Sequence, residues 1–567
     1  MQNLIQADLT QSQVISRFYG LNRLEKGRSG EFKAMLGLSS DRYPCMAAAR
    51  QAKQLYTGYT NIQAVIAPKY GENIEGLTGV ANGVFYYNGA AKTKDSATIP
   101  ANADVTLVDF NGRIIICAYD GTNSYMSYYD YTATGTNKVK NMETTVIGTM
   151  TVYGSGDPSR DVTVTNYIER TGGWTGFKMG DSVQISGFVN AGNNTQLIDS
   201  KFDTADKTIP ISAVVEKVDG NKLYVQLYNY LRERLVFTNE TAQTRTVGNV
   251  TITPTVKIGI PVMNHICIHN NRLWGTNPNG EYIYASKLGD PFNWNTYQGL
   301  ANDSYYAEIG TAGGFVGIVS YRDNLVAFKR DYIHHIYGDK PSNYSIPKQL
   351  SDCGCIDIKS AVQIGVGLYF LGYNGFYVYQ GGQPELISQK LDKTYEHATA
   401  ATDGQKYIVS CEDGLLVYDT RYGTWHIEED IQNVKGYFRR ENKVYIATDT
   451  KLYQYGGNDA GYWSAETIIF TENTFENKGL IEIWIRAILD EDSYIDVKTA
   501  EDGGDYVGSF RISTPGLNRH KIPVRHIDGD YYAMKFIGHG NAVITDIEKK
   551  YVVAGREFRQ NGGHNVY

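Results

Sequence analysis

Two histidines and a cysteine alternate in the segment His265–Ile266–Cys267–Ile268–His269, which is a residue set that can bind a metal ion. On a β-strand the three side chains share one face, but two residues advance the chain by about 6.6 Å, so the outer pair lies about 13 Å apart. Zinc needs every ligand atom within about 2.0–2.3 Å of the ion. One straight strand cannot supply that set. The pattern instead favours a strand whose isoleucines face the core, and we predict no metal ligand.

The six cysteines are scattered and lack the spacing of a disulfide framework. Cys353–Gly354–Cys355 has no matching pair elsewhere, so we predict reduced cysteines packed in strands rather than a redox or metal site. The acidic run Asp490–Glu491–Asp492 lacks the glycine and the terminal glutamate of a calcium loop and is interpreted as a hairpin turn. No phosphate-binding loop occurs, and we predict no cofactor.

The run Asp419–Thr420–Arg421–Tyr422–Gly423–Thr424–Trp425 is similar to the Asp-box turn of propeller glycosidases, S-x-D-x-G-x-T-W. Thr420 occupies the Asp position, however, and the glycine is shifted by one residue. The run is more similar to the Y-D-x-x-x-x-x-W ending of kelch-like blades, which places Trp425 between blades. A sialidase would also need clustered arginines for its substrate carboxylate, and no nucleophile motif is present. We therefore predict no catalytic residue and no enzyme activity.

Bulk composition indicates a β-rich chain that does not bind nucleic acid tightly. The 567 residues carry a formal net charge of -7, and the longest basic runs are the pairs Arg439–Arg440 and Lys549–Lys550. A dedicated DNA-binding protein usually has a basic patch, so we expect only weak, salt-sensitive DNA binding. The 45 tyrosines suit pleated strands and protein interfaces, and the 59 glycines suit tight turns. The sequence contains neither a signal-peptide pattern nor an apolar run of about 18 residues, so we expect no membrane insertion.

A degenerate repeat of paired strands supplies the main fold signal. Each unit has an alternating strand, a turn with Asn, Asp or Gly, and a second strand rich in aromatic residues. Examples are Gly79–Gly89, Val105–Ile116, Gly367–Tyr379 and Asn442–Tyr455. The copies after residue 257 recur about every 40–50 residues, which is the blade length of β-propellers. The pattern predicts an all-β fold with a β-propeller of six or seven blades.

Two tracts break this repeat. Residues 139–256 contain strands around Gly-Asp and Asp-Gly-Asn turns, which predict a small β-barrel or sandwich inserted into the propeller. Residues 458–567 alternate over longer strands and predict a C-terminal β-sandwich. The predicted domains are thus 1–138 (N-terminal segment and first blades), 139–256 (insertion), 257–457 (remaining blades) and 458–567 (sandwich). A short helix is expected over Ala47–Tyr56.

The segment Asn271–Asn295, NRLWGTNPNGEYIYASKLGDPFNWN, joins two short strands through an Asn/Gly turn at Asn277–Gly280. It resembles a signature of the tail hub, or nozzle, proteins of short-tailed phages, the family that includes the tail tubular protein B-like and packaged-DNA stabilisation protein-like chains. Three further strings resemble that family: Gly30–Pro44 around LSSDRYP, Gly180–Phe188 and Lys535–Ala542. The residues singled out as structural are Asn271, Arg272, Leu273, Trp274, Gly289, Asp290, Trp294 and Trp425, with Trp274 and Trp425 expected to pack between blades.

The resemblance implies a structural virion protein. It suggests a homo-hexameric ring in the phage tail below the portal and adaptor, which forms the channel for DNA ejection and carries tail fibres or spikes. Such a protein is assembled in the host bacterial cytoplasm and ends in the virion. The resemblance carries over no catalytic or partner-binding residue. The alternative is a glycan-binding or glycan-cleaving β-propeller, such as a receptor-binding protein; a pocket with convergent carboxylates and arginines would favour it.

Overall fold

A computed structural model of the chain describes residues 10–70, 75–135, 137–159, 163–198, 207–229, 233–278, 281–297, 299–347 and 351–553. Strands dominate these residues, and the helical structure among them is limited to two 3-10 turns, Ala191–Asn193 and Gln389–Leu391. The predicted all-β class is therefore confirmed. The chain divides into two compact units, Met1–Ala67 with Cys353–Tyr567 and Pro68–Asp352.

The first unit contains three four-stranded antiparallel sheets with the strand order of propeller blades, named here by their residue ranges. The strands of the 357–386 blade are Asp357–Ile364, Gly367–Gly372, Gly375–Tyr379 and Glu385–Leu386; those of the 399–429 blade are Thr399–Thr402, Lys406–Cys411, Gly414–Asp419 and Thr424–Glu429; those of the 436–454 blade are Gly436–Arg440, Lys443–Ala447, Lys451–Gln454 and Lys53–Thr57. The first strands of successive blades contact each other, and Gly436–Arg440 also contacts the strand Ile62–Val65. Apolar residues of neighbouring blades share one core, as Ile408 and Ile446 do.

The helix predicted over Ala47–Tyr56 is wrong. Met46–Ala48 is a strand paired with Leu38–Ser39 and with Ala542–Val553, and Lys53–Thr57 is the last strand of the 436–454 blade. The segment is rich in Ala, Gln, Lys and Arg, which are strong helix formers. Pairing with distant strands overrides this weak local preference.

The rest of the first unit is a β-sandwich of two six-stranded sheets. One sheet contains Thr10–Ile15, Leu38–Ser39, Met46–Ala48, Lys478–Leu489, Gly516–Gly529 and Ala542–Val553, and the other contains Gly20–Leu21, Glu31–Leu36, Tyr462–Thr467, Tyr494–Glu501, Val507–Ile512 and Tyr532–His539. Alternate residues face the shared core, for example Ile483 and Ile485 from the first sheet and Met534 and Phe536 from the second. Strands from residues 10–48 thus lie in the sandwich, together with strands of the predicted 458–567 domain.

The second unit contributes further blade-like sheets. Their strands are Gly79–Ala81, Val84–Tyr87 and Ala90–Ala91; Asp104–Phe110, Arg113–Tyr119, Ser124–Asp130 and Val139–Asn141, with Lys94–Asp95 added in parallel; His265–His269, Arg272–Thr276, Tyr282–Ala285 and Tyr305–Glu308; and Phe315–Tyr321, Asn324–Lys329 and Ile333–Ile336. Local turn chemistry sets the register of these hairpins. Asn111 and Gly112 both have positive φ, 51° and 86°, between the paired residues Phe110 and Arg113. Positive φ at both central residues is the property that a type I′ hairpin turn requires.

A nine-stranded sheet in the same unit surrounds a separate hydrophobic core. Its strands are Thr144–Ile147, Met150–Ser155, Thr165–Glu169, Ser182–Ser186, Ser212–Asp219, Lys222–Tyr228, Arg234–Leu235, Glu240–Ala242 and Thr255–Ile258, and two small hairpins, Thr195–Ile198 with Lys207–Pro210 and Arg245–Val247 with Val250–Ile252, accompany it. This is the inserted module, called the barrel module below. The fold class is thus all-β: propeller blades, an inserted barrel or sandwich module and a β-sandwich. The domain limits at 138, 256 and 457 stay predictions.

Candidate functional site

The side chain of Arg272 binds backbone groups within the signature segment 271–295 and just after it. Its strand pairs with His265–His269 and with Tyr282–Ala285, which leaves the side chain fully buried at 0% exposure. The guanidinium donates to the carbonyl oxygens of Ser286 at 2.8 Å and Ala301 at 2.7 Å, and also to that of Asp303. Burial lowers the pKa of Arg272 from its ordinary value. A buried guanidinium that donates to three backbone carbonyls acts as a structural clamp on the loop that supplies them.

The turns on either side of this strand keep the clamp in register. Asn271 adopts a positive φ of 54° and Gly289 one of 72°. The backbone N–H of Gly289 donates to the carbonyl oxygen of Asn271 at 2.8 Å. Leu273 is fully buried in the blade core. Asn279 and Gly280 of the predicted turn lie outside the described residues.

The end of the signature segment fastens the blade to the barrel module. The Asp290 carboxylate pairs with the ammonium of Lys178. The Asn293 amide donates to the Asp181 carboxylate at 3.1 Å, and the Thr296 hydroxyl donates to the carbonyl oxygen of Gly180 at 2.7 Å. Burial raises the pKa of Asp181 above its ordinary value. Two of the strings that carry the family resemblance, Gly180–Phe188 and Asn271–Asn295, therefore meet at one buried junction.

Tryptophans fill the space between sheets. Trp274 has 0% exposure, lies edge-on to Tyr344 at 5.1 Å and shares a core with Phe315 and Leu325 of the next sheet. Trp294 is 1% exposed, and its indole N–H donates to the carbonyl oxygen of Pro291 at 2.8 Å.

Trp425 is 2% exposed and donates to the carbonyl oxygen of Ile387 at 2.9 Å. Its ring lies 5.4 Å from that of Phe376, in the preceding 357–386 blade. Trp274 and Trp425 thus pack against a neighbouring sheet, and Trp294 lies in a core that its own sheet shares with Phe110 and Met126 of another sheet.

A second polar junction lies in the first unit, where the LSSD string meets the 399–429 blade. Lys406 is 3% exposed, and its ammonium lies 2.7 Å from the carboxylate of Asp41 and 3.0 Å from that of Glu428. Burial lowers the pKa of Lys406, but the two carboxylates outweigh this effect and leave the pKa above its ordinary value. The Ser40 hydroxyl donates to Asp419 at 2.6 Å, and Asp419 also accepts two bonds from the Arg421 guanidinium. We call this set the Lys406 junction.

In the sequence, Asp419 and Arg421 belong to the run that was compared with the glycosidase turn. In the structure their side chains bind each other, and Asp419 also accepts the Ser40 hydroxyl. Sequence analysis missed Lys406 and Glu428, because nothing in their local context distinguishes them from surface charges. Glu429 was missed as well. Burial raises its pKa to about 7, and it accepts the backbone N–H of Ala52 at 2.9 Å.

The remaining chemical candidates are also engaged in packing. His269 is buried with its Nδ1 2.9 Å from the Ser320 hydroxyl, and Ile266 between the two histidines lies in the core. Cys355 is fully buried, and burial raises its thiol pKa to about 12. A thiol with that pKa is not ionised near neutral pH and is a poor nucleophile. Within the described ranges, no group of three or more His, Cys, Asp or Glu side chains is placed to hold a metal ion.

Comparison with known proteins identifies no family. No family model and no curated protein matches the chain. Among solved structures, an extracellular domain from B. thetaiotaomicron shares 12% identity with a TM-score of 0.25, and the match covers 82% of this chain but only 46% of that one. The exo-beta-1,3-galactanase of Phanerochaete chrysosporium shares 7% identity with a TM-score of 0.21, covering 86% and 100%.

A third similar structure is a family 43 arabinoxylan arabinofuranohydrolase from Bacillus subtilis, with 12% identity, a TM-score of 0.17 and coverage of 80% and 96%. Similarities of this size carry no argument about function. A search of the described part of the chain for helices long and apolar enough to cross a membrane finds none.

Proposed function

We propose that this chain is a structural protein of the tail hub, or nozzle, of short-tailed phages. The observation that carries the proposal is the position of the strings that resemble the hub family: they form contacts between elements of the fold. Gly180–Phe188 and Asn271–Asn295 meet at the barrel junction, and the LSSD string supplies Asp41 and Ser40 to the Lys406 junction. Lys535–Ala542 lies largely on a sandwich strand that pairs with Tyr462–Thr467. Side chains that are bound in such junctions hold neighbouring elements in fixed positions, and a structural protein needs this rigidity.

In this proposal the protein acts as a ring, with six copies suggested by the family resemblance, below the portal and adaptor. DNA passes through it during ejection, and fibres or spikes attach to it. The formal net charge of -7 supports a conduit rather than a DNA grip. Each phosphate contact by Lys or Arg would add affinity and slow the passage of DNA.

The second candidate is a glycan-binding or glycan-cleaving β-propeller. It is kept because a β-propeller fold suits it as well as it suits a scaffold, since a fold does not by itself determine a function. The most acid-like carboxyl group for such chemistry is Glu429, with its pKa raised to about 7 by burial. Its neighbour Glu428 is bound to Lys406 and accepts the hydroxyl of Tyr455, which argues for a structural use of this pair.

One set of measurements separates the candidates. Antibodies against the purified chain are applied to virions of the phage that encodes it, and labelling is located by electron microscopy. The hub proposal expects label on the tail of every particle. In parallel, purified protein is incubated with capsule or lipopolysaccharide of the host, and the glycan is sized. Unlabelled tails, or shortened glycans whose production is lost in Glu429→Gln, would overturn the hub proposal in favour of the second candidate.

A further inference from the structure

The five-stranded sheet of residues 94–141 in the second unit has a pocket of about 370 Å³ at one end of one face. The strand register places four of its lining side chains. Arg113 lies opposite Asp130, and Tyr128 lies opposite Lys140. Because Asp130 and Tyr128 are two residues apart on one strand, all four side chains point to the same face. Small-molecule pockets measure about 300–1,000 Å³, so this one has room for a small ligand.

Two lysines of the pocket, Lys138 and Lys140, are exposed and lie two residues apart at the edge of this sheet. Among the residues that the structure describes, no carboxylate lies within ion-pair distance of either ammonium. Asp95 is the neighbour of Lys140 in the parallel register, but its carboxylate also forms no ion pair within the described part of the chain. The unpaired cations of the pocket therefore outnumber its unpaired carboxylate, in a chain whose formal net charge is -7.

The other two charges of the pocket neutralise each other. The Nε of Arg113 donates to the Asp130 carboxylate at 2.9 Å, and Asp130 also accepts the backbone N–H groups of Thr132 and Ala133, both at 3.1 Å. Burial raises the pKa of Asp130, but hydrogen bonds from Thr132 and Arg113 outweigh this effect and leave the pKa below its ordinary value. The Asp130 carboxylate thus stays charged and bound to protein groups, and the charge that a ligand meets comes from the two lysines and Asp95.

Two aromatic rings form one wall of the pocket. Phe292, from the signature segment, lies edge-on to Tyr128 with the ring centroids 5.0 Å apart. The backbone N–H of Phe292 donates to the Asp290 carboxylate at 3.2 Å, and both rings pack against a buried core that includes Ile115. The wall is therefore in place before a ligand arrives, which lowers the entropic cost of binding. The C–H groups of a sugar ring pack favourably against the electron-rich face of an aromatic ring.

The mixture of groups in the pocket selects among anionic ligands. A phosphodiester offers only acceptor oxygens, which suit the two ammonium groups but meet repulsion from the Asp95 carboxylate. A sugar that bears a carboxylate offers an anion to the lysines and hydroxyl donors to Asp95. Asn137 can accept a further hydroxyl through its amide oxygen, since its amide nitrogen already donates to the carbonyl oxygen of Ala133 at 2.9 Å. The sugar ring itself suits the aromatic wall at Phe292.

We propose that this pocket binds a carboxylate-bearing sugar residue of an acidic polysaccharide, with Lys138 and Lys140 on the carboxylate and Asp95 on the hydroxyl groups. Hexuronic acids and sialic acids share this chemistry, and the test below distinguishes them. The inference goes beyond the proposed function, because a scaffold needs no ligand pocket. It concerns binding alone, and no bond of the sugar is broken.

The test uses full-length protein and isothermal titration calorimetry. The probes are digalacturonic acid, N-acetylneuraminic acid, the neutral disaccharide of galactose, inorganic phosphate and a single-stranded oligonucleotide. One variant combines Lys138→Ala with Lys140→Ala, and another is Asp95→Ala. The matched control combines Lys69→Ala with Lys340→Ala, two exposed lysines of the same unit that do not line the pocket. Circular dichroism melts confirm that each variant is folded.

We expect at least one acidic sugar to bind wild type and the control alike. The double variant of Lys138 and Lys140 should bind that sugar about 10-fold or more weakly, because it removes charge-assisted hydrogen bonds. Added salt should weaken the binding as well. Asp95→Ala separates a sugar from a simple anion. It should weaken sugar binding, since a hydroxyl acceptor is lost, and tighten phosphate binding, since a repelling charge is removed.

The proposal is overturned if neither acidic sugar binds, if the neutral disaccharide binds equally well, or if Asp95→Ala tightens the binding of the acidic sugar. An oligonucleotide that binds more tightly than both sugars, and loses affinity in the double variant of Lys138 and Lys140, would also overturn it and assign the pocket to nucleic acid. These failures are distinct from failure of the proposed function. Sugar binding without labelled phage tails overturns only the hub, and labelled tails without sugar binding overturn only the pocket.

Discussion

Replacing Arg272 with methionine should destabilise the second unit strongly. The change keeps an apolar stem of similar length but removes the donors that the carbonyl oxygens of Ser286, Ala301 and Asp303 use. A buried group left unsatisfied costs about 1–3 kcal/mol. Because the three losses share one relaxing loop, we expect a total of about 3–5 kcal/mol rather than their full sum.

A domain of this size loses about 2–4 °C of melting temperature per kcal/mol, so Arg272→Met should melt about 10 °C below wild type. Differential scanning calorimetry measures the shift, and the fluorescence of the buried Trp274 and Trp294 reports unfolding of the same blade region. Arg272→Lys should recover only part of the loss, since an ammonium lacks the planar fork of the guanidinium. The control is Arg234→Met at an exposed arginine of the same unit. If Arg272→Met melts within about 2 °C of wild type, the clamp is not structural and Arg272 becomes a binding-site candidate.

Three further outcomes follow from the first unit. Trp425→Ala should lower the unfolding free energy by about 3–5 kcal/mol, measured by urea denaturation, because it empties a site packed against Phe376; a loss under about 1 kcal/mol would place Trp425 outside the core. Lys406→Met should cost about 3–5 kcal/mol in the same assay, since it leaves the buried carboxylate of Glu428 without its cation, and Lys406→Met with Glu428→Gln should restore part of this loss. The raised pKa of Glu429, about 7 in the fold, means that its contribution to stability is fully present below the unfolded pKa of about 4.3 and is lost as pH rises through 7. Glu429→Gln should therefore match wild type near pH 4 and melt higher at pH 8; equal melting at both pH values would contradict the buried, acid-like environment.

The features that sequence analysis predicted correctly are those encoded in neighbouring residues. The two-residue turn Asn111–Gly112 needs positive φ at both positions, and only residues such as Asn and Gly adopt it cheaply. The apolar and aromatic strands around such turns are sufficient to predict an all-β chain. Trp274 and Trp425 stand out in the sequence for a similar local reason, because a large aromatic residue at the end of a strand favours burial between sheets.

The features that sequence analysis missed depend on residues that are far apart in the chain. The strand Lys53–Thr57 pairs with the strand Lys451–Gln454, which lies almost four hundred residues later in the chain. The local sequence of either strand does not indicate its partner. Lys406 meets Asp41 across a similar separation. Until the fold brings them together, both are ordinary charged residues.

The buried polar junctions explain how neighbouring sheets of this chain stay in one register despite the many short strands. Hydrophobic packing between sheets tolerates sliding, because apolar contacts are not directional. The Arg272 clamp and the Lys406 junction do not tolerate it, since displacement by a few ångströms would leave a buried cation or carboxylate without partners. The Arg272 clamp acts within one blade, the Asn293–Asp181 contact joins a blade to the barrel module, and the Lys406 junction joins the LSSD string to a blade. Stiffness at these contacts would suit the scaffold role proposed above, because displacement within one copy would add to displacement in the next copy of any assembly.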